Sequence, residues 1–144
     1  MTYEEDPPSI AERLFAAYNA KNLEAVARLY HDDGTHEDVT HGKPKVGASA
    51  ISEGLAKFLG WFPDASWEVH SIIGGNCHEV AVAYTLTGSL QAPMGTIMPA
   101  GQAISLRGVQ VLRLAQGRIQ QSTDYWDAAT FQKQLIPISQ EEKQ

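Results

Sequence analysis

One cysteine, Cys77, stands in 144 residues. A lone cysteine excludes an intrachain disulfide and any zinc site built on cysteine pairs. Basic side chains are scarce as well: 11 Lys and Arg face 17 Asp and Glu, for a formal net charge of −6. A nucleic-acid surface needs a basic face to contact phosphate, and this composition argues against one. No run of basic residues would hold the chain on an anionic membrane. No stretch approaches the roughly 20 apolar residues of a membrane span. The opening MTYEEDPPS is acidic and lacks the apolar run of a secretory signal. The expectation is a cytoplasmic protein without nucleic-acid or membrane partners. The length fits one domain. Apolar residues make up 43%, enough for a core with room for an internal pocket.

What is present has a clear order. Residues 1–8 read as a flexible lead-in, 9–136 as one domain, and 137–144 as a flexible polar tail. Ser9 and Glu12 have the spacing of a capping box. Ile10, Leu14, Ala17 and Tyr18 follow as one helical stripe, and Leu23, Val26, Ala27 and Tyr30 as a second. Ile51, Leu55, Phe58, Leu59 and Phe62 mark a third helix, which Pro63 stops. From residue 65 the period changes to two. SWEVHSII, VAVAYTLTGSL, ISLRGVQVLRL and RIQQSTDYW predict four strands, with turns at 74–76 and 116–117. Asp127 caps a last short helix, AATFQKQL. Helices followed by hairpin-linked strands predict an α+β fold. Its curved, mostly antiparallel sheet has helices covering the concave face and enclosing a pocket.

The polar residues then need places. HDDGTHEDVTH, residues 31–41, holds three His and four acidic residues. A five-residue His spacing does not share a helical face, no HExxH is present, and DDG lacks the alternating ligands of a calcium loop, so no metal is expected. If THEDV is a short strand, His36 and Asp38 point one way, while His31, Asp32, Asp33 and His41 are solvated. On the last strand Gln120, Ser122, Asp124 and Trp126 share a face. On the strand before it Leu106, Gly108, Gln110, Leu112 and Leu114 do, and the turn at 116–117 brings residues 110 and 124 opposite each other. A carboxylate in an apolar pocket has its pKa raised toward working pH, which suits proton removal from carbon flanked by carbonyls. A lone Gln on an apolar face must find a partner or cost about 1–3 kcal/mol. It cannot transfer a proton at neutral pH, but it can donate to an enolate oxygen. An imidazole, with an unperturbed pKa near 6.5, can shuttle the proton that Gln110 cannot. Trp61, Phe62, Trp67, Tyr84 and Trp126 read as core. His70 reads as outer surface beside Glu68. Met94, Ile97 and Met98, in the connection at 91–102, read as the rim of the pocket mouth. There is no GxSxG nucleophile elbow.

The order of elements and the segments LYHDDGTHEDVTHG, VGASAISEGLAKFLGWFPD, YTLTGSL, MPAGQAISLRGVQVLRLAQGRI and STDYWDAATFQKQL resemble the SnoaL-like polyketide cyclases, or ester cyclases, of the NTF2-like superfamily. The resemblance covers most of residues 10–135. It implies a cone-shaped NTF2-like fold with a deep apolar pocket, commonly a homodimer. The activity it implies is proton abstraction alpha to a carbonyl without metal or cofactor, leading to aldol cyclisation, isomerisation or dehydration. It maps Asp124 onto the acid/base of the last strand and turns His36 and Asp38 toward the pocket. Characterised relatives tend to carry His where Gln110 stands. The implied catalytic set is Asp124, Gln110, His36 and Asp38. Tyr84, Leu106, Trp126, Met94 and Met98 make the substrate pocket, and the partner is a hydrophobic small molecule. Epoxide-hydrolysing relatives carry Arg and Asp two residues apart on an earlier strand, and no RxD is present here. The alternative is a non-catalytic ligand-binding or protein-interaction module of the same fold, which Gln110 favours.

Overall fold

The computed structural model describes residues 6–136. Helix α1, Pro7–Asn19, begins before the expected capping box. Its N-cap is Asp6, whose carboxylate accepts the Ser9 N–H at 3.0 Å. Pro7 and Pro8 fill the first turn, where an N–H would have no partner anyway. Residues 6–8 are therefore the start of the helix, whereas 1–5 and the expected tail 137–144 lie outside the described residues. Ile10, Ala11, Leu14, Phe15, Ala17 and Tyr18 form the buried stripe of α1. Asn22 caps the short helix α2, Leu23–Leu29. Strand β1, Tyr30–Asp38, follows without a loop, and β2, Lys45–Val46, pairs with it. Helix α3, Ala48–Trp61, precedes strands β3, Ser66–Gly74, β4, Glu79–Ser89, β5, Ala103–Ala115, and β6, Arg118–Trp126. Helix α4, Ala128–Leu135, is capped by Asp127 as expected.

The six strands form one sheet in the order β2-β1-β6-β5-β4-β3. Every neighbouring pair is antiparallel except β1 with β6, which is parallel. The expected short strand THEDV is thus, up to Asp38, the end of a nine-residue strand, and Val39 begins the turn that follows. Its polar sequence gives little strand signal of its own, and pairing with β6 supplies the backbone partners. The β5–β6 hairpin turns through Gln116 and Gly117, both at positive φ, the conformation that a two-residue type I′ turn requires. It sets Gln110 opposite Asp124, while β1 sets Asp38 opposite Asp124 and His36 opposite Ser122. One inward row therefore runs Asp38, Asp124, Gln110, Val82 across four strands.

Helix α1 packs on β3, β4 and β5, α3 packs on β1 and α2, and α4 lies along β5. On α3 only Ile51 is fully buried, while Leu55, Phe58 and Leu59 stay half-buried. That stripe faces a hollow, and the solid core lies beneath α1. Among the described residues no helix covers the outer face of the sheet. Val109 is 39% exposed and Tyr125 50% exposed there. His70 is on that face too, 2.6 Å from the Thr85 hydroxyl and 3.8 Å from Glu68.

Edge strand β3 is tied to α1 by one amide. Asn19 donates from Nδ2 to the Trp67 carbonyl at 2.9 Å and accepts the Trp67 N–H on Oδ1 at 2.8 Å. The side chain thereby takes the place of a neighbouring strand on an edge that would otherwise stay open. Asn19→Ala should destabilise the chain by about 1–2 kcal/mol, read as a lower urea midpoint at unchanged slope.

Candidate active site

The curved sheet, α3 and α4 enclose a cavity of about 520 Å³. Phe58 and Trp61 of α3, Trp67 of β3, Tyr84 of β4, Trp126 of β6 and Phe131 of α4 supply its aromatic wall. Four of the five aromatics read from sequence as packing are therefore wall, and only Phe62 is wholly core, at 0% exposed. Strand and helix periods report which way a side chain points, not whether the space it reaches is filled. Leu106 and Met94 line the cavity as expected. Met98 does not: it is 64% exposed. Reciprocal backbone hydrogen bonds between Met94 and Ile97 make a tight turn there, and Met98 lies just beyond it. His41 is exposed, as expected, and also stands edge-on to Trp126 at 5.6 Å on the rim of the cavity.

Asp124 lines the cavity and is mostly buried. Its Oδ1 accepts the Tyr84 hydroxyl at 2.6 Å. Tyr84 reaches it because the residue between them is Gly108. A Cβ at position 108 would come within 2.4 Å of the Tyr84 oxygen and 2.5 Å of the ring carbon bearing it. Burial raises the Asp124 pKa to about 6, against the lowering effect of the Tyr84 hydrogen bond and of His36, and nearby Asp38 adds to the rise. Burial and the Asp124 charge likewise raise the Tyr84 phenol, so it stays a neutral donor. Nothing in the strand period signals this pair. A glycine in the middle of an otherwise apolar inward row is the one local hint of a close approach.

Across β6 lies a second polar group. His36 Nδ1 is 2.7 Å from Ser122 Oγ, which is 2.6 Å from the Tyr30 hydroxyl. His36 Nε2 is 3.5 Å from Asp38 Oδ1, and the Trp126 indole N–H donates to the same oxygen at 3.0 Å. Burial pushes Asp38 upward, but His36, Trp126 and the Lys45 charge outweigh it, and its pKa is lowered. Two neighbouring carboxylates are thus driven apart, one ionised and one near 6. That separation is what divides acid/base roles between paired carboxylates. Gln110 lies behind the wall instead of on it. It is 1% exposed, accepts the Tyr18 hydroxyl at 3.3 Å, and is not among the residues lining the cavity. The sequence pattern placed it inward correctly, but Tyr18 of α1 covers it.

Candidate metal ligands differ from the His repeat of residues 31–41. His31 turns to the Ala115 carbonyl at 2.5 Å. His36, Asp38 and Asp124 instead offer ligand atoms within 4.8 Å of one another. Each of these side chains already has a protein partner, in Ser122, Trp126 and Tyr84.

A profile described as SnoaL-like polyketide cyclase matches residues 9–135. Among solved structures the chain is similar to AclR, a candidate hydroxylase from Streptomyces galilaeus. Identity is 23% and the TM-score 0.77, over 90% of this chain and 96% of that one. IdmH, a candidate polyketide cyclase from Streptomyces antibioticus, matches at 22% and 0.77, over 89% and 97%. A protein with a ketosteroid isomerase-like fold from Catenulispora acidiphila matches at 20% and 0.78, over 91% and 95%. At such identities these likenesses carry the fold, which is the α+β, NTF2-like arrangement described above. The profile spans nearly all of the described residues, and on that ground the chain belongs to the SnoaL-like polyketide cyclase family.

Proposed function

We propose that this chain catalyses proton abstraction alpha to a carbonyl of a hydrophobic substrate, with Asp124 as the base and no bound cofactor. The observation that carries the reading is that, of the two carboxylates on the wall of a largely apolar cavity of about 520 Å³, Asp124 has its pKa raised to about 6 while Asp38 has its pKa lowered. The C–H proton passes to an oxygen of Asp124, and the bonding electrons move onto the carbonyl as an enolate. The enolate attacks a second carbonyl, and the new alkoxide recovers the proton from Asp124, which is an aldol closure. Return of the proton to a different carbon is isomerisation; in dehydration Asp124 takes a second alpha proton, the C–H electrons form the double bond as the C–O bond breaks, and the hydroxyl leaves with that proton as water. His36, held between Ser122 and ionised Asp38, lies within 4.8 Å of Asp124 and is the group assigned to pass the proton on. Gln110 acts here as a positioning residue, because from behind the wall it braces Tyr18, which lines the cavity.

Deuterium exchange into a panel of 1,3-dicarbonyl compounds tests the role of Asp124. Wild type should exceed Asp124→Asn by roughly 100-fold or more over the buffer rate. The wild-type rate should rise with pH through an inflection near 6 and should survive EDTA. Equal exchange in both proteins defeats the catalytic reading and leaves a binding module.

Stability has the opposite pH trend. The folded-state pKa of Asp124 lies above that of the unfolded chain, so the folded state holds a proton that the unfolded state releases. This contribution is full below about pH 4 and is lost as pH rises through 6. Asp124→Asn, which keeps an acceptor for Tyr84, should therefore be more stable than wild type at pH 8 by about 1–3 kcal/mol. The gap should close toward pH 4 in denaturant titrations.

The assembly proposed with this activity is a homodimer through the outer face of the sheet, where Val109 and Tyr125 lie exposed. Light scattering should return twice the chain mass, and Val109→Arg with Tyr125→Arg should halve it.

A further inference from the structure

A lysine at the cavity makes no direct ion pair among the described residues. Lys45 of β2 sits opposite His36 in the strand register, so the two share the inward face, and both line the cavity. Lys45 is half-buried. Among the described residues no carboxylate lies within ion-pair distance of it. Its stem lies flat across α3 at Gly54. A Cβ there would come within 2.4 Å of the lysine Cε and 2.9 Å of its Cδ. Glycine inside a helix costs about 1 kcal/mol relative to alanine, and the groove it opens is occupied by this side chain. One turn further along α3, Lys57 also lines the cavity, with its ammonium 5.5 Å from the centre of the Trp61 ring. Two cations thus stand on one side of a cavity whose acidic groups, Asp38 and Asp124, come from β1 and β6.

Asp38 is near enough for the Lys45 charge to lower its pKa, yet the two make no direct ion pair, so the half-buried ammonium has lost hydration without gaining a contact partner. An anionic group on the bound molecule supplies what is missing, and a charge-assisted hydrogen bond to it is stronger than a neutral one. Asp38 and Asp124 repel the same group, so an anion can lie only on the α3 side. We infer that the substrate is an amphiphile: an apolar, ring-bearing body in the aromatic cavity, with a carboxylate held by Lys45 and seconded by Lys57. That contact fixes which end of the molecule faces α3 and so which carbon faces Asp124. The inference rests on the cavity being the substrate site, and not on Asp124 being the base.

The probes are 2-naphthoate and its methyl ester, titrated into the full chain and followed by quenching of tryptophan fluorescence. Naphthoate should bind about tenfold tighter than the ester, and the preference should shrink with added salt. Lys45→Gln should remove most of the preference and leave ester affinity within about twofold. Gly54→Ala keeps the lysine but blocks its groove. It should also lose the preference, while its thermal midpoint stays at or above wild type. Equal affinity for the two probes, or a preference that persists in Lys45→Gln, overturns the inference. Binding of neither probe overturns it together with the reading of the cavity as a substrate site. Failure of Asp124→Asn to slow exchange touches only the catalytic proposal.

Discussion

The hydrogen bond from Tyr84 to Asp124 is the contact on which the site depends. Asp124 must be dry enough to hold a proton near neutrality and yet fixed in place. An arginine partner would fix it by holding it permanently ionised. A phenol fixes it with a neutral dipole, so burial still dominates and the carboxyl stays poised near 6. The geometry tolerates only hydrogen at position 108, since the tyrosine oxygen occupies the space where a side chain would begin. Three neighbouring strands therefore cooperate in one contact: β4 supplies the donor, β5 the gap and β6 the acceptor.

Around that contact the cavity stays open because its roof stands off. The apolar stripe of α3 is the ordinary stripe of a core helix, but its middle residues remain half-buried and look onto aromatic rings across a gap. The neighbouring His36–Ser122–Tyr30 chain gives the floor a second polar anchor. It is satisfied internally: among the described residues no fully buried side-chain polar atom lacks a partner. The two carboxylates differ because their neighbours differ. Asp38 has an indole N–H, an imidazole and a lysine to hold its charge, whereas Asp124 has one phenol and a weaker pull from His36, set against deeper burial and the neighbouring Asp38.

Much of this was legible beforehand, and the reason is local. A period of two along β5 and β6, with a two-residue turn between them, is enough to put residues 110 and 124 side by side on the inward face. What escaped depends on tertiary partners. The start of β1 carries Asp, Asp and Gly and takes strand form from its parallel neighbour. The capping signal at Ser9 lost to Asp6 and two prolines. The wall tryptophans carry the same pattern whether the space before them is filled or empty. Gln110 was placed on the right face but one layer too far forward, since the covering tyrosine comes from α1, 92 residues away in sequence. Lys45 sits on a two-residue strand too short for any periodicity to reveal.

The single parallel pairing in the sheet carries a further consequence. His36 and Ser122 meet across 86 residues, and Asp38 and Trp126 across 88. The floor of the cavity is thus stitched from one of the first strands to be synthesised and the last. A nascent chain that stops before β6 has neither Asp124 nor the strand that holds His36 and Asp38 in register, so no partial site exists on the way to the whole one. Formation of this centre therefore waits on some of the least local contacts in the fold, the kind that is slow to close.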